Sequence, residues 1–332
     1  MIARVADHCF WLGRYIERAE STARHLHVTG ALALDAELPE RRVWPPLVIV
    51  SGQEADYVAR FGRERLHDAE NVQRYLTFDM QNAVSLRRSV GAARENARSI
   101  RDVVSLEVWH AINELYVFLG SDEASAMYES DRDALFARVQ RSTQLGLGLL
   151  RSTMLHDAPL DFIWLGVLLE RVNQTARLLD VEYHALLAEG APHPVLETAL
   201  WLSLLRACSG FEAFVKRNRG KVSGATVAAF LILEPRFPRS VRYCTTSARE
   251  RLAAICDDGE LPGKNALARL RELEEWLGAI APDSLTGARV HEVLTHVVHE
   301  AHEVCSAIGA ELLGRFDRAG AAGERPIQKQ SQ

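Results

Sequence analysis

Residues 10–28 read FWLGRYIERAESTARHLHV, and the spacing of their apolar residues indicates the fold class. Its apolar side chains recur every three or four residues, which is typical of an α-helix with one face against a core. Proline- and glycine-containing breaks separate this stretch from further segments of the same period. Those segments cover residues 84–103, 106–119, 134–154, 162–187, 196–215, 266–280 and 290–316. The sequence therefore predicts an all-α protein.

Residues 164–181 repeat part of that first stretch. Ten of the eighteen positions in residues 11–28 are identical to those found 153 residues later. Two further matches, of residues 44–54 with 201–212 and of residues 85–95 with 240–250, keep nearly the same offset. Three collinear matches predict an internal duplication of a multi-helix bundle unit, with the two copies packed together. We place the first unit at residues 1–156, the second at residues 157–316 and a flexible tail at residues 317–332.

Residues 45–52, PPLVIVSG, resemble a buried β-strand when they are considered in isolation. The matching segment of the second unit, LWLSLL at residues 200–205, consists mainly of helix formers and contains no proline. A duplicated unit should keep its architecture, and proline is tolerated in the first turn of a helix. We therefore expect Pro45 and Pro46 to open a helix.

Composition restricts the class of protein. The chain has 332 residues, a net charge of −5 and 48% hydrophobic residues, which argues against general disorder and a broad nucleic-acid surface. The five cysteines are scattered without zinc-ligand spacing, as expected of reduced thiols. No signal peptide and no uncharged apolar run of about 18 residues is present, so we expect a cytoplasmic protein with no membrane or nucleic-acid partner.

The candidate functional residues centre on two Glu-Arg pairs, at residues 17–18 and 170–171. The helix that carries the second pair is apolar on nearly all sides, so these charges should be partly buried and need partners. Two interpretations are open: a polar pocket in which arginines bind an anion, or an ion-pair network that fixes how the two units dock.

The arginine-rich segment 92–101 offers a second anion or partner surface, or simply a solvated face, and Asn82 is a candidate N-cap before it. Together the candidate ligand- or partner-binding residues are Arg14, Glu17, Arg18, Arg24, Asp79, Arg94, Glu95, Glu170, Arg171, Asn173 and Arg177.

Motifs for metal or nucleophilic chemistry are incomplete. Glu107 and His110 have the Glu-x-x-His spacing of di-iron bundles, and a histidine-rich helix follows at residues 291–302. The second di-iron motif is not in a core-like segment and the strict His-Glu-x-x-His motif is absent, so we expect no metal or other cofactor. A metal-binding alternative would use Glu107, His110, His296, His299 and His302. The sequence also lacks a Gly-x-Ser-x-Gly motif, a P-loop and a dinucleotide-binding loop, which leaves open whether the chain is an enzyme.

The string WLGRYIERAE at residues 11–20 resembles the opening of the bacterial alpha-E domain family, an all-helical family named for its Glu-Arg motif. The resemblance continues through residues 77–98 and 169–177 and covers the chain to about residue 316. Members of that family look like partners of circularly permuted ATP-grasp ligases, often together with transglutaminase-like peptidases. The resemblance therefore implies an accessory or substrate-presenting partner in the formation of amide or peptide bonds. The alternatives are an enzyme with a Glu/Arg-lined anion site between the units and a metal-binding helical bundle.

Overall fold

The computed structural model describes residues 1–35, 40–188, 194–218, 220, 222–256 and 263–314. Within these ranges the chain is helical with no β-strand, which confirms the all-α prediction. The α-helices are α1 (Ala3–Asp35), α2 (Glu40–Val43), α3 (Pro45–Ser51), α4 (Glu54–Phe61), α5 (Ala69–Thr77), α6 (Leu86–Ser99), α7 (Leu106–Leu119), α8 (Asp122–Ser130), α9 (Arg132–Thr153), α10 (Ala158–Ala188), α11 (Pro194–Ala207), α12 (Phe211–Arg217), α13 (Gly224–Leu233), α14 (Val241–Ile255), α15 (Lys264–Ala279) and α16 (Ala288–Leu312). Short 3₁₀ helices cover Arg63–His67 and Pro282–Ser284.

The two longest helices, α1 and α10, cross in backbone contact at the centre of the molecule. A Cβ atom built on Gly13 of α1 would lie 2.0 Å from the carbonyl oxygen of Ile163. A Cβ atom on Gly166 of α10 would lie 2.1 Å from the carbonyl oxygen of Phe10. The contact is reciprocal, because each glycine meets the residue that lies three positions before the other. Only glycine permits this approach at either position.

The other helices are arranged around this crossing in two interleaved sets. Helix α1 packs against α6 and α9, and α10 packs against α14 and α16. Helix α3 also packs on α10, and α11 packs on α1. Each long helix is therefore covered by elements from both halves of the chain. The duplication and its boundary at residues 156/157 stay predictions, and the expected tail at residues 317–332 lies outside the described residues.

Two clusters of buried apolar side chains form the core. The larger one surrounds the α1–α10 crossing and extends along α10 to α14, α15 and α16. The second lies between the C-terminal half of α1 and the helices from α2 to α9. In the part of the chain that the structure describes, no helix combines the length and apolarity needed to cross a membrane.

Helix α3 confirms the expectation for the double-proline segment. Pro45 and Pro46 occupy its first turn, where the missing N–H groups cost no helical hydrogen bond. The helix ends at Gly52, whose φ of +75° favours glycine.

The start of α6 differs from the expected one. The helix begins at Leu86, and its N-cap is Ser85, whose hydroxyl accepts a hydrogen bond from the backbone N–H of Arg88. Asn82 is buried in the preceding turn, where its amide group donates to the carbonyl oxygen of Tyr75. The prediction of Asn82 as N-cap was wrong because its side chain stabilises the turn instead.

Candidate functional site: a buried Glu-Arg network and an adjoining cavity

Glu170 of α10 is the acceptor on one side of the helix crossing. Its carboxylate accepts hydrogen bonds from Nε of Arg14 at 2.6 Å and from Nε of Arg18 at 2.8 Å, both on α1. Gln174, one turn further along α10, donates to the same carboxylate at 3.2 Å. The Glu170 side chain is 1% exposed, so these donors replace the water that a free carboxylate would bind.

Glu17 of α1 is the acceptor on the other side of the crossing. It forms ion pairs with Arg171 of α10 at 2.9 Å and with Arg239 at 2.6 Å. The Glu-Arg pairs are therefore exchanged between the helices: the arginine of each motif pairs with the glutamate of the other. This exchange fixes the relative register of the two helices.

Glu20 extends the network along α1. It accepts from Arg239 at 2.8 Å and from Gln144 of α9 at 3.2 Å, and it also pairs with Arg24. Arg239 thus bridges two carboxylates that lie one turn apart on α1. Because it belongs to the loop before α14, Arg239 links α14 to the crossing.

The two motif carboxylates are held in the ionised form. Burial raises the pKa of Glu17, but Arg171 and Arg239 outweigh it and lower that pKa to about 2. Burial likewise raises the pKa of Glu170, and Arg18 and Arg14 outweigh it to give a pKa of about 2. A general base at neutral pH needs a pKa near 7 and access to substrate. Neither carboxylate meets these requirements.

The network holds more cations than anions. Three carboxylates, of Glu17, Glu20 and Glu170, form ion pairs with five arginines, and a sixth arginine, Arg177, adds its charge near Glu170. Burial, and then the charge of Arg239, lowers the pKa of Arg24 to about 9. The five paired arginines are Arg14, Arg18, Arg24, Arg171 and Arg239.

Arg177 occupies the position on α10 that corresponds to Arg24 on α1. The residue one turn before Arg24 is Glu20, whereas the residue one turn before Arg177 is Asn173. Burial lowers the pKa of Arg177, and Glu170 opposes that effect. Its guanidinium nitrogens lie 2.7 and 2.9 Å from the point where a Cβ of Gly52 would stand, so it packs against the turn after α3.

A cavity of about 730 Å³ opens beside the network, between the C-terminal half of α1 and helix α11. Arg24 lines it and connects it to the network, and the exposed Arg206 of α11 contributes a second cation. Polar atoms come from His27, Gln140 and Ser203. Apolar side chains form the rest of the lining, among them Val28, Leu32, Leu196, Ala199 and Leu202. A cavity with two arginines and apolar walls suits an anionic ligand with a carbon skeleton.

The structure joins six of the predicted residues in one network: Arg14, Glu17, Arg18, Arg24, Glu170 and Arg171. Two essential members, Glu20 and Arg239, were not among the candidates. Glu20 follows the first Glu-Arg pair within the same helical face, so helical spacing could have indicated it. Arg239 lies 219 residues from Glu20 in a loop, and no local pattern marks it.

Asp79, Arg94, Glu95 and Asn173 are not members of this network. Asp79 pairs with Arg60 at 2.5 Å and accepts hydrogen bonds from the backbone of the turn before α6. Arg94 donates to Asn113 at 2.8 Å and pairs with Glu95 at 2.7 Å. Asn173 is half-buried on α10. Asp79 and the Arg94–Glu95 pair therefore provide turn and surface contacts outside the network.

The candidate metal ligands are not brought together. Glu107 and His110 are exposed on α7, and His296 of α16 packs on the ring of Trp276 with centroids 4.4 Å apart. His299 and His302 are exposed on α16. Among the described residues one group places three ligand atoms within 4.8 Å of one another, and it contains none of these five residues.

Comparison with known proteins agrees with the helical architecture and with the Glu-Arg pairs. A model of the Alpha-E family, described as a predicted alpha-helical domain with a conserved ER motif, matches residues 1–313. The uncharacterized proteins Mb2597 of Mycobacterium bovis and Rv2567 of Mycobacterium tuberculosis are each 29% identical over 283 residues. The match covers 80% of this chain and 30% of each relative. No solved structure matches the chain.

Proposed function

Because the chain belongs to the Alpha-E family of helical domains with a conserved Glu-Arg motif, we propose that it is a non-catalytic module that assists an amide-forming ligase of the ATP-grasp type. In this role it contacts the ligase and holds an anionic substrate group in the cavity beside Arg24. The observation that carries the proposal is that the motif forms a closed, buried network with that cavity at its edge.

The closed network supports a structural role for the motif. The side chains of Glu17 and Glu170 are 0% and 1% exposed, and both are bound by arginines from the opposite helix or loop. A catalytic carboxylate would have to leave these partners and become accessible to substrate. Breaking a buried ion pair costs about 3–5 kcal/mol, which opposes such a change.

The length of the relatives supports a role beside another protein part. The chain spans less than a third of the length of the mycobacterial proteins that it matches. In those proteins the helical region belongs to one polypeptide with a larger remaining part. A helical module that works on a partner, within one chain or between chains, fits this arrangement.

The cavity supports the presentation of substrate. Amino acids and peptides carry a carboxylate, for which an arginine offers two parallel hydrogen bonds. The network beside the cavity has an excess of arginine over carboxylate, so a bound anion would reduce the repulsion among buried cations. The apolar walls would contact the carbon skeleton of such a substrate.

The test uses the purified chain and a purified circularly permuted ATP-grasp ligase from the same organism. We expect a complex and a change in the rate of ATP turnover when amino-acid or peptide substrates are present. Arg206→Glu, which reverses the charge at the cavity, should reduce that change. Arg271→Glu, on an exposed position of α15 outside the cavity lining, is the matched control. A chain that neither binds the ligase nor alters its turnover would refute the proposal.

A further inference from the structure

Two histidines and an aspartate meet near the C-terminal end of α10. Asp180 and His184 lie one helical turn apart on α10, and His291 lies in the first turn of α16. The three ligand atoms lie within 4.8 Å of one another. Nδ1 of His291 is 2.7 Å from Oδ1 of Asp180, and Nε2 of His184 is 3.8 Å from that oxygen.

These distances are close to those of a metal site. Zinc with bonds of about 2.0–2.1 Å in tetrahedral geometry separates neighbouring ligand atoms by about 3.3 Å. The two separations lie on either side of that value, and the shorter one is a hydrogen bond between His291 and Asp180 that a bound ion would replace. Small rotations of the imidazole rings would bring both nitrogens and the Asp180 oxygen to bonding distance. The two imidazoles are about half-exposed, at 52% for His184 and 48% for His291, and their ring centroids lie 4.4 Å apart, so solvent on the open side of each ring leaves room for that adjustment.

The backbone positions of the three residues are fixed by the surrounding structure. Tyr183, between the two ligands on α10, accepts a hydrogen bond on its hydroxyl oxygen from the backbone N–H of Gly287 at 3.2 Å. Its buried ring packs on Trp201 with centroids 5.4 Å apart. The end of α10 and the start of α16 are therefore held together independently of the cluster.

The local charge also permits a cation. Arg289, two residues before His291, pairs with Glu292 at 3.0 Å. Its charge is thus neutralised within the same turn of α16. Asp180 supplies a carboxylate that would offset part of the charge of a divalent ion.

We propose that Asp180, His184 and His291 bind a divalent transition metal, with zinc as the best match to two imidazoles and one carboxylate. Three protein ligands leave a fourth position for water, and the exposure of the cluster gives that position access to solvent. The metal ties α16 to the central helix α10. The site involves none of the residues of the Glu-Arg network and does not depend on the proposed ligase partner.

The test is calorimetric titration of zinc into the full chain after treatment with chelator. We expect one equivalent to bind and the melting temperature to rise with zinc concentration, because a ligand of the folded state stabilises it. His291→Ala and Asp180→Asn should each weaken binding by about 100-fold or more, since loss of a residue that only hydrogen-bonds to a metal ligand already costs about 10–100-fold. His299→Ala, an exposed histidine of α16 outside the cluster, is the matched control and should leave binding unchanged.

Zinc affinity that is equal in the wild type, His291→Ala and Asp180→Asn would overturn the proposal and show an adventitious ion only. Circular dichroism of the metal-free variants establishes that they are folded. If Asp180→Asn does not fold, zinc binding by His184→Ala replaces that test, because His184 is half-exposed and contacts the other two members of the cluster.

Discussion

His25 shows how a single buried group makes the stability of the fold depend on pH. It lies on α1 next to Arg24 and is 7% exposed. Burial, followed by the charges of Arg24 and Arg239, lowers its pKa to about 3. The folded protein therefore keeps this imidazole neutral, whereas the unfolded chain binds a proton below about pH 6.5. The stabilising effect is complete above pH 6.5 and is lost as the pH falls toward 3.

We predict that His25→Gln flattens the dependence of stability on pH between about 6.5 and 5. In the wild type the free energy of unfolding should fall by up to about 1.4 kcal/mol per pH unit in this range from His25. Urea denaturation at several pH values measures the slope, and His299→Gln at an exposed site is the control. Equal slopes in wild type and His25→Gln would show that His25 does not control the acid sensitivity.

Below this pH range, the motif carboxylates dominate the pH dependence of the free energy of unfolding. Glu17 and Glu170 have pKa values lowered to about 2, against an ordinary value of 4.5. Their contribution is present above pH 4.5 and is lost as the pH falls toward 2, because the unfolded chain then binds protons that the folded state excludes. Acid unfolding should therefore begin with His25 and steepen below pH 4.5.

At the scale of helices, the crossing of α1 and α10 depends on two glycines. We predict that Gly13→Ala or Gly166→Ala destabilises the protein by about 3 kcal/mol or more, at or above the upper end of the usual cost of an added methyl group in a packed core. The reason is that the new Cβ would meet a backbone carbonyl, which cannot rotate away as a side chain does. Thermal or chemical unfolding measures the loss.

Gly148→Ala provides the control for this substitution. Gly148 is an exposed residue inside α9, and a Cβ there meets no atom within 4 Å. Alanine at this position should stabilise the protein by roughly 0.5–1 kcal/mol through the higher helix propensity of alanine. Similar effects of Gly13→Ala and Gly148→Ala would contradict the close crossing.

Helices were the part of the structure that sequence could predict. Their period is local, so apolar stripes identified them, and comparison with residues 200–205 corrected the strand-like segment at Pro45 and Pro46. The exchange of Glu-Arg pairs between α1 and α10 was harder to predict from the sequence. It depends on which faces of α1 and α10 meet, and the pairing of Arg239 with Glu20 closes a separation of 219 residues. Helical periodicity identifies the face of a residue but not its partner across the molecule.

At the scale of the whole molecule, we expect the excess of buried arginine to favour the binding of an anion. We predict that L-glutamate raises the melting temperature of the chain by occupying the cavity at Arg24 and Arg206. Arg206→Glu should remove most of this shift, and Arg271→Glu should not. Thermal unfolding monitored by circular dichroism measures the shift over a range of ligand concentrations. An equal shift in both variants would indicate a general effect of the solute and would contradict a ligand site in the cavity.

We propose that the Glu-Arg motif holds the fold together and takes no part in a reaction. The most direct measurement is the free energy of unfolding of Glu170→Gln by urea denaturation at pH 7, together with the effect of the folded variant on the ligase. We predict a loss of about 3–5 kcal/mol, because Arg14 and Arg18 would lose their buried partner. Glu95→Gln, which breaks a surface pair, should cost less than about 1 kcal/mol. We also predict that the fraction of Glu170→Gln that stays folded changes the ATP turnover of the proposed ligase partner as the wild type does. Unchanged stability combined with a complete loss of that effect would contradict the structural role and favour a catalytic one.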